Sequence, residues 1–202
     1  MNNPEFVRVD GKKYKINTDF RVALECNRIA EDDTIGDYER AMAIMYKLFG
    51  EEAFSCENQN LLTKLGLRYL LLGEEEKEPN FNPRKNYELD FTKCEGLIRS
   101  SFRFDYGYDP YELEYKHFYD FYNDLSNLSS SEFGTCCALN RVISILDMDT
   151  SKLKSKDVSK IREAQHELRE KYCKKKKSEL TDAQKKSAVE LYKSIGLWEG
   201  GN

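Results

Sequence analysis

The sequence predicts a mainly α-helical, multi-helix domain with a short N-terminal β-hairpin. Only 4 prolines and 11 glycines occur in 202 residues, so few positions interrupt a helix. Lysine, glutamate and leucine, which are favourable in helices, are frequent. Apolar side chains recur at intervals of three and four residues, the spacing of one helical face, which predicts about seven or eight helices.

The hairpin is predicted for residues 6–16. Asp10-Gly11 lies between two short segments that alternate in side-chain character. An Asp-Gly pair favours a type I′ turn because both of its residues accept a positive φ. A lone hairpin is only marginally stable, so we expect it to pack against the helices.

Three helices are predicted between the hairpin and Gly73. The side chains of Asn17-Thr18-Asp19 suit the N-cap of the first. Glycine suits the position just after a helix because it accepts a positive φ. The predicted boundaries are residues 20–30, Gly36 to Gly50, and Asn58 or Asn60 to Gly73.

The segment 74–88 divides the chain in this prediction. It contains two of the four prolines and almost no apolar periodicity, so we expect an exposed acidic loop. We expect one compact domain overall. Its predicted parts are an N-terminal hairpin with helices (1–73), the loop (74–88), a central helical region (89–177) and a C-terminal helix (178–202).

The central region is predicted to contain four helices. Asp90 suits the N-cap of the first helix, and Gly107 suits its end. Asp109-Pro110 suits the start of the second, because a proline at the first helical position sacrifices no hydrogen bond. The other two are expected to begin near Ser129 and Asp157.

Six of the twelve residues from Tyr111 to Tyr122 are aromatic. A helical spacing indicates that one side of this helix faces the core, and that side consists of Tyr111, Tyr115, Phe118, Tyr122 and Leu125. Tyrosine is common where one end of a ring is buried and the other is wet. The neighbouring Tyr119, Phe121 and His117 are therefore predicted to contact a partner protein.

No catalytic or cofactor motif is present. The sequence lacks the glycine-rich phosphate and dinucleotide loops, the nucleophile elbow and the HExxH zinc motif. Its two histidines, His117 and His166, are far apart, and no two of the six cysteines form a CxxC pair. We expect a non-enzymatic protein with no cofactor and no metal, whose cysteines are reduced and buried.

The charge balance and the lack of a long apolar segment argue against binding to nucleic acid or to membranes. The formal net charge is −4, which gives no general attraction to phosphate-rich surfaces. No apolar segment approaches the roughly 20 residues that span a bilayer, and no signal peptide is evident. Lys174–Lys177 is a basic run that suits either phosphate contacts or the solvation of a helix end.

One group of residues in the central region forms a recognisable pattern: Asp90-Phe91, Ile98, Ser101-Phe102, Tyr106-Gly107, Asp109 and Phe118. This pattern resembles a family of phage tail-morphogenesis proteins from long-tailed phages of Gram-positive bacteria, known as gene product fifteen of a Listeria phage. Residues 16–21 (INTDFR) resemble the opening of the family. Pro110 and Glu114-Tyr115-Lys116 depart from the family pattern, so His117 is not equated with the family histidine.

The resemblance implies a tail-assembly chaperone whose gene lies beside the tape-measure gene. Such a protein would coat the tape-measure protein before tail-tube subunits polymerise around it. The tail-tube protein and a second copy of the chain are further candidate partners. The expected location is the cytoplasm of the host bacterium, outside the mature virion. The alternative is a nucleic-acid-associated phage packaging or regulatory protein that uses Lys174–Lys177.

Overall fold

The computed structural model describes residues 3–73, 87–129, 136–152 and 155–174. These residues confirm a mainly helical fold with one N-terminal hairpin. The strands are β1 (Phe6–Val9) and β2 (Lys12–Lys15). The helices are α1 (Phe20–Ala30), α2 (Asp37–Phe49), α3 (Gln59–Leu70), α4 (Glu95–Tyr106), α5 (Phe118–Ser126), α6 (Ala138–Leu146) and α7 (Ser155–Tyr172), with 3₁₀ turns at Gly50–Ser55, Pro110–Glu112 and Thr150–Lys152.

The predicted hairpin is confirmed. β1 and β2 pair antiparallel, from Phe6 opposite Lys15 to Val9 opposite Lys12. Asp10 and Gly11 connect them with φ values of 49° and 81°, as a type I′ turn requires. Val9, Tyr14 and Ile16 are buried, so the hairpin is held by packing against the helices rather than by its own pairing.

Side-chain caps set the starts of two N-terminal helices as predicted. The Asp19 carboxylate accepts a hydrogen bond from the Arg21 backbone N–H at the start of α1. The Asn58 side chain accepts one from the Leu61 N–H at the start of α3. Gly50, with a φ of 68°, ends α2 at the predicted position and directs the chain into the Gly50–Ser55 turn.

One hydrophobic core joins the N-terminal helices to the central ones. The fully buried rings of Phe20, Phe121 and Phe102 form a stack that connects α1, α5 and α4. The ring centroids are 4.2 Å apart in the first pair and 5.6 Å apart in the second. Because this core includes residues on both sides of segment 74–86, the two regions fold against each other. The predicted loop (74–88, apart from its last two residues) and the predicted helix at 178–202 lie outside the described residues.

The starts of α1 and α5 lie side by side. The Phe20 N–H donates to the Lys116 carbonyl over 3.0 Å, and the Phe118 N–H donates to the Thr18 carbonyl over 2.8 Å. A second bridge joins Leu89 to Cys173 and attaches the end of α7 to the segment that precedes α4.

The prediction of one helix from Pro110 to Leu125 is wrong. A 3₁₀ turn, Pro110–Glu112, is followed by non-helical chain, and α5 begins only at Phe118. The backbone pairing of Lys116 and Phe118 with the start of α1 holds this segment out of the helix. The five residues assigned to one core-facing side therefore do not share a helical face, and Tyr115 and Tyr122 are exposed.

Two other predicted helix starts are also shifted. The Asp90 carboxylate accepts from the Thr92 and Lys93 N–H groups, so Asp90 caps a turn, and α4 begins at Glu95. The helix expected near Ser129 begins at Ala138. Ser129 instead binds the Asp105 carboxylate through its N–H and its hydroxyl, over 2.7 and 2.6 Å.

Candidate functional site

Two of the three residues predicted to contact a partner are buried. Phe121 is 0% exposed, within the ring stack. His117 is 7% exposed, and its Nδ1 accepts from the Tyr119 N–H as the N-cap of α5. Its Nε2 then carries the proton and faces the Pro4 carbonyl at 3.4 Å. The surface position predicted for these two side chains is wrong, because α5 starts at Phe118 and places Phe121 inward.

Tyr119 is half-buried. Its ring stacks on Tyr69, with centroids 5.2 Å apart, and its hydroxyl donates to the Tyr69 carbonyl over 3.3 Å. These contacts tie α5 to the end of α3. A partner contact at the exposed edge of Tyr119 stays a prediction.

The residues that carry the family resemblance have structural roles. Ile98 and Phe102 are fully buried. The Ser101 hydroxyl accepts from the Leu139 N–H over 3.0 Å at the start of α6. Gly107 ends α4 with a φ of 74°. The buried Asp109 carboxylate pairs with the guanidinium groups of Arg99 and Arg103, so these residues of the motif stabilise the fold.

An open apolar groove lies between α2, the Gly50–Ser55 turn and α3. Its cavity volume is about 130 Å³. The polar side is formed by Gln59, Asn60 and Thr63 on the first turns of α3. The apolar side is formed by Tyr38, Ala41, Met42, Met45, Ala53 and Phe54.

The groove exposes the aromatic side chains of Tyr38 and Phe54 and part of Met42, none of which belongs to the core. Tyr38 is 70% exposed and Phe54 is 46% exposed. Tyr46, also exposed, stacks on Phe54 with ring centroids 6.0 Å apart. Methionines such as Met42 adapt their shape to irregular apolar partners, so this surface suits a docked apolar side chain.

α2 and α3 approach each other closely at Gly66. A Cβ atom on Gly66 of α3 would lie 3.0 Å from the Phe49 ring and 3.2 Å from a Leu48 methyl group. A larger residue at position 66 would require these side chains to shift by a few tenths of an ångström. The glycine therefore permits the close packing of the two helices that line the groove.

The part of the chain that forms the groove is acidic. Glu51, Glu52 and Glu57 are exposed, and they form no ion pair within the described part of the chain. Two nearby cations are engaged, Arg40 with Asp37 and Lys47 with Glu25. Residues 31–64 contain eight acidic side chains, Glu31, Asp32, Asp33, Asp37, Glu39, Glu51, Glu52 and Glu57, against Arg40, Lys47 and Lys64.

Residues 2–188 match the family model described as Bacteriophage Gp15 protein. The chain belongs to this family. The predicted membership is thereby confirmed over most of the sequence. No curated protein and no solved structure matches the chain.

Lys174, the first residue of the basic run in this Gp15-family chain, is already paired. Its ammonium group lies 2.5 Å from a Glu31 carboxylate oxygen and also contacts the Glu88 carboxylate. The other three lysines of the run lie outside the described residues. Lys174 thus holds the end of α7 against the end of α1 instead of presenting a free charge.

The described residues of this Gp15-family chain contain neither a metal-binding cluster nor a membrane-spanning helix. No group of three or more His, Cys, Asp or Glu side chains there could hold a metal ion. None of the helices in the same part of the chain has the length and apolar character to cross a membrane.

Sequence reasoning missed the groove as a binding surface. Tyr38, Ala41, Met45 and Leu48 have the spacing of one face of a helix. Leu48 and Met45 are indeed buried, whereas Tyr38 at the start of the helix is not. The available signal was the concentration of methionine and tyrosine on α2 among acidic residues, a composition typical of adaptable binding surfaces.

Proposed function

We propose that this phage protein is a tail-assembly chaperone that binds the tape-measure protein while the tail is being built. Membership of the Gp15 family supports its assignment as a bacteriophage protein. The observation that carries the finer proposal is the exposed apolar groove between α2 and α3, with Tyr38 and Phe54 at its surface. We place the tape-measure contact there, and not at the buried Phe121.

A long helical protein needs such a partner before its own assembly. An amphipathic helix in water exposes an apolar face that promotes aggregation. A groove lined by side chains such as Met42 and Phe54 can cover that face by helix-in-groove packing. Because the groove is small, each contact is modest in area and can be reversed. Reversibility lets tail-tube subunits displace the chaperone later.

The acidic surroundings of the groove favour a helix with basic residues. Glu51, Glu52 and Glu57 would attract lysine or arginine side chains that flank the apolar face of the partner. Charge complementarity of this kind mainly increases the association rate and the specificity. We therefore expect capture of the tape-measure protein to weaken as the salt concentration rises.

Several consequences belong to the same proposal. The protein acts in the cytoplasm of the host bacterium, has no enzymatic activity and is absent from the mature virion. Tail-tube protein and a second copy of the chain are further binding candidates. The nucleic-acid alternative gains no support from Lys174, whose charge is offset by Glu31 and Glu88.

Co-purification with a co-expressed, tagged tape-measure protein tests the proposal. Phe54→Lys places a charge in the groove, whereas Phe104→Lys makes the same change on α4, whose main helix partner is α6. Phe104 is 60% exposed, so it is a matched control. We expect Phe54→Lys to reduce capture at least tenfold and Phe104→Lys to leave it unchanged. Equal capture by both variants, with both folded, would contradict a tape-measure contact in the groove.

A further inference from the structure

The outward face of the β-hairpin carries one aromatic ring among cations. Phe6 lies opposite Lys15, and Arg8 lies opposite Lys13. Directly opposite residues of antiparallel strands share a face of the sheet, as do alternate residues along one strand. The four side chains therefore lie together on one face. The other face packs on the core, whereas all four of these residues are exposed. Phe6, Arg8, Lys13 and Lys15 are called the hairpin face below.

The cations of the hairpin face have no carboxylate partner. Arg8, Lys13 and Lys15 form no ion pair within the described part of the chain. The Lys13 ammonium instead lies 4.5 Å from the centre of the Phe6 ring, and the Arg8 guanidinium carbon lies 5.8 Å from it. Charged side chains alone would protect an exposed strand from aggregation. The 44% exposure of Phe6 among them therefore points to a binding surface, where aromatic residues and arginine are common.

The groove between α2 and α3 has the complementary character. Its volume of about 130 Å³ is close to the roughly 150 Å³ of an apolar cavity that holds benzene, so it suits one aromatic ring. On and next to the Gly50–Ser55 turn, the exposed Glu51, Glu52 and Glu57 form no ion pair within the described residues. A ring flanked by cations thus matches an apolar groove flanked by carboxylates.

The hairpin face and the groove do not meet within one chain. None of the residues that line the groove belongs to the hairpin. The hairpin is held in place by its buried face and, just beyond β2, by the Asn17 N–H, which donates to the Leu48 carbonyl over 2.7 Å. A hairpin face that enters the groove therefore comes from another copy of the chain.

We propose that the hairpin face of one copy binds the groove of a second copy, with Phe6 as the apolar anchor. The contact joins two different surfaces, so it is heterologous and either closes into a ring or extends into a chain of copies. A second copy and the tape-measure helix then compete for the same groove. The competition rests on the function proposed above, whereas the self-association does not. The opposed charges are Arg8, Lys13 and Lys15 on one copy and Glu51, Glu52 and Glu57 on the other.

Charge reversal on each surface tests the contact. Sedimentation equilibrium of the full-length protein, without any partner, measures the association constant. We expect the average mass to rise above the 23.7 kDa of one chain as the concentration increases, and to fall again as salt is added. Lys13→Glu/Lys15→Glu and Glu51→Lys/Glu52→Lys should each lower the association constant by about tenfold or more, because like charges then face each other.

An equimolar mixture of these two variants should associate again. The reversed hairpin face of one variant is acidic and the reversed groove surroundings of the other are basic, so the two attract each other. The surfaces that were not changed still match as in the wild type. Glu163→Lys/Glu167→Lys, which reverses two exposed carboxylates of α7, has the same net charge as Glu51→Lys/Glu52→Lys. This matched control should associate like the wild type.

Four results would overturn the proposal. The wild type could stay monomeric at every concentration. Reversal of the hairpin face or of the groove carboxylates could leave the association constant unchanged. The α7 control could weaken association as much as the groove variant does. The mixture of the two variants, both folded by circular dichroism, could stay monomeric. Because no tape-measure protein is present in these measurements, a failure of the proposed function would leave their outcome unaffected.

Discussion

The ring of Phe121 stacks on the ring of Phe20, with centroids 4.2 Å apart and planes 17° apart. The two residues belong to α5 and α1, on opposite sides of segment 74–86 in the sequence. Aromatic pairs contribute about 0.5–1.5 kcal/mol beyond the burial of their area. This contact, extended by Phe102, is the main link between the N-terminal and central helices.

Truncation of Phe121 should strongly destabilise the protein. Phe121→Ala removes a fully buried ring and should lower the free energy of unfolding by about 3–5 kcal/mol. Tyr122→Ala, which truncates the exposed neighbouring ring, should lower it by less than about 1 kcal/mol. Urea denaturation of both variants measures the difference. Similar losses in the two variants would refute the inward orientation of Phe121.

Loss of the buried Asp109 carboxylate should destabilise the protein more than loss of the exposed Glu112 carboxylate nearby. It is buried and satisfies Arg99, Arg103 and the Tyr111 N–H. Asp109→Ala should lower the free energy of unfolding by about 2–4 kcal/mol, because it leaves charged donors unpaired. Glu112→Ala removes only an exposed pair with Arg103 and should cost less than about 1 kcal/mol. A thermal melt in which both variants behave alike would exclude a structural role for Asp109.

Substitutions of two glycines, one at each end of α4, should change the stability of the protein in opposite directions. Gly107 has a φ of 74°, a conformation that is strained for residues with a Cβ atom, so Gly107→Val should cost about 1 kcal/mol or more. Gly96 lies in the first turn of α4 with open space around it, so Gly96→Ala should stabilise by about 0.5 kcal/mol. Differential scanning calorimetry reports both shifts. An unchanged melting temperature for Gly107→Val would remove its assignment as the end of α4.

Cys136 should react faster with thiol reagents than the other five cysteines. Burial raises the pKa of the Cys26 thiol to about 12 and that of the Cys94 thiol to about 11, so neither forms much thiolate at pH 8. Five of the six cysteines are buried, and Cys136 is half-buried. Native protein mixed with a chromogenic disulfide reagent at pH 8 should show one fast-reacting thiol. Cys136→Ser should abolish that fast phase, and a persistent fast phase would mean that a buried cysteine becomes accessible.

Local chemistry explains which elements the sequence predicts well. Asp10-Gly11, Asp19 and Gly107 act through their own φ or through a neighbouring N–H, so their roles follow from a few adjacent residues. The segment 113–117 behaves differently, because its backbone pairs with the start of α1 nearly one hundred residues away. Periodicity within the segment carries no information about that pairing.

The spacing of apolar residues on α2 did not locate the candidate site, for a related reason. The sequence alone does not decide whether the helical face containing Tyr38 and Met45 is buried or exposed. That depends on where the neighbouring element packs. In the structure Tyr38, at the start of α2, is exposed, whereas Met45 is buried. The partner contact was instead predicted for the aromatic residues around Phe121, but Phe121 itself belongs to the buried ring stack.

Site-specific photocrosslinking tests the groove as the tape-measure contact most directly. A photoreactive phenylalanine analogue replaces Tyr38, which is 70% exposed at the groove, or Phe104, which is 60% exposed on α4. The protein is irradiated during co-expression with the tape-measure protein. We predict a covalent adduct with the tape-measure chain from position 38 and none from position 104. An adduct from position 104 alone, or from neither position while the two proteins still co-purify, would contradict the placement of the tape-measure helix between α2 and α3.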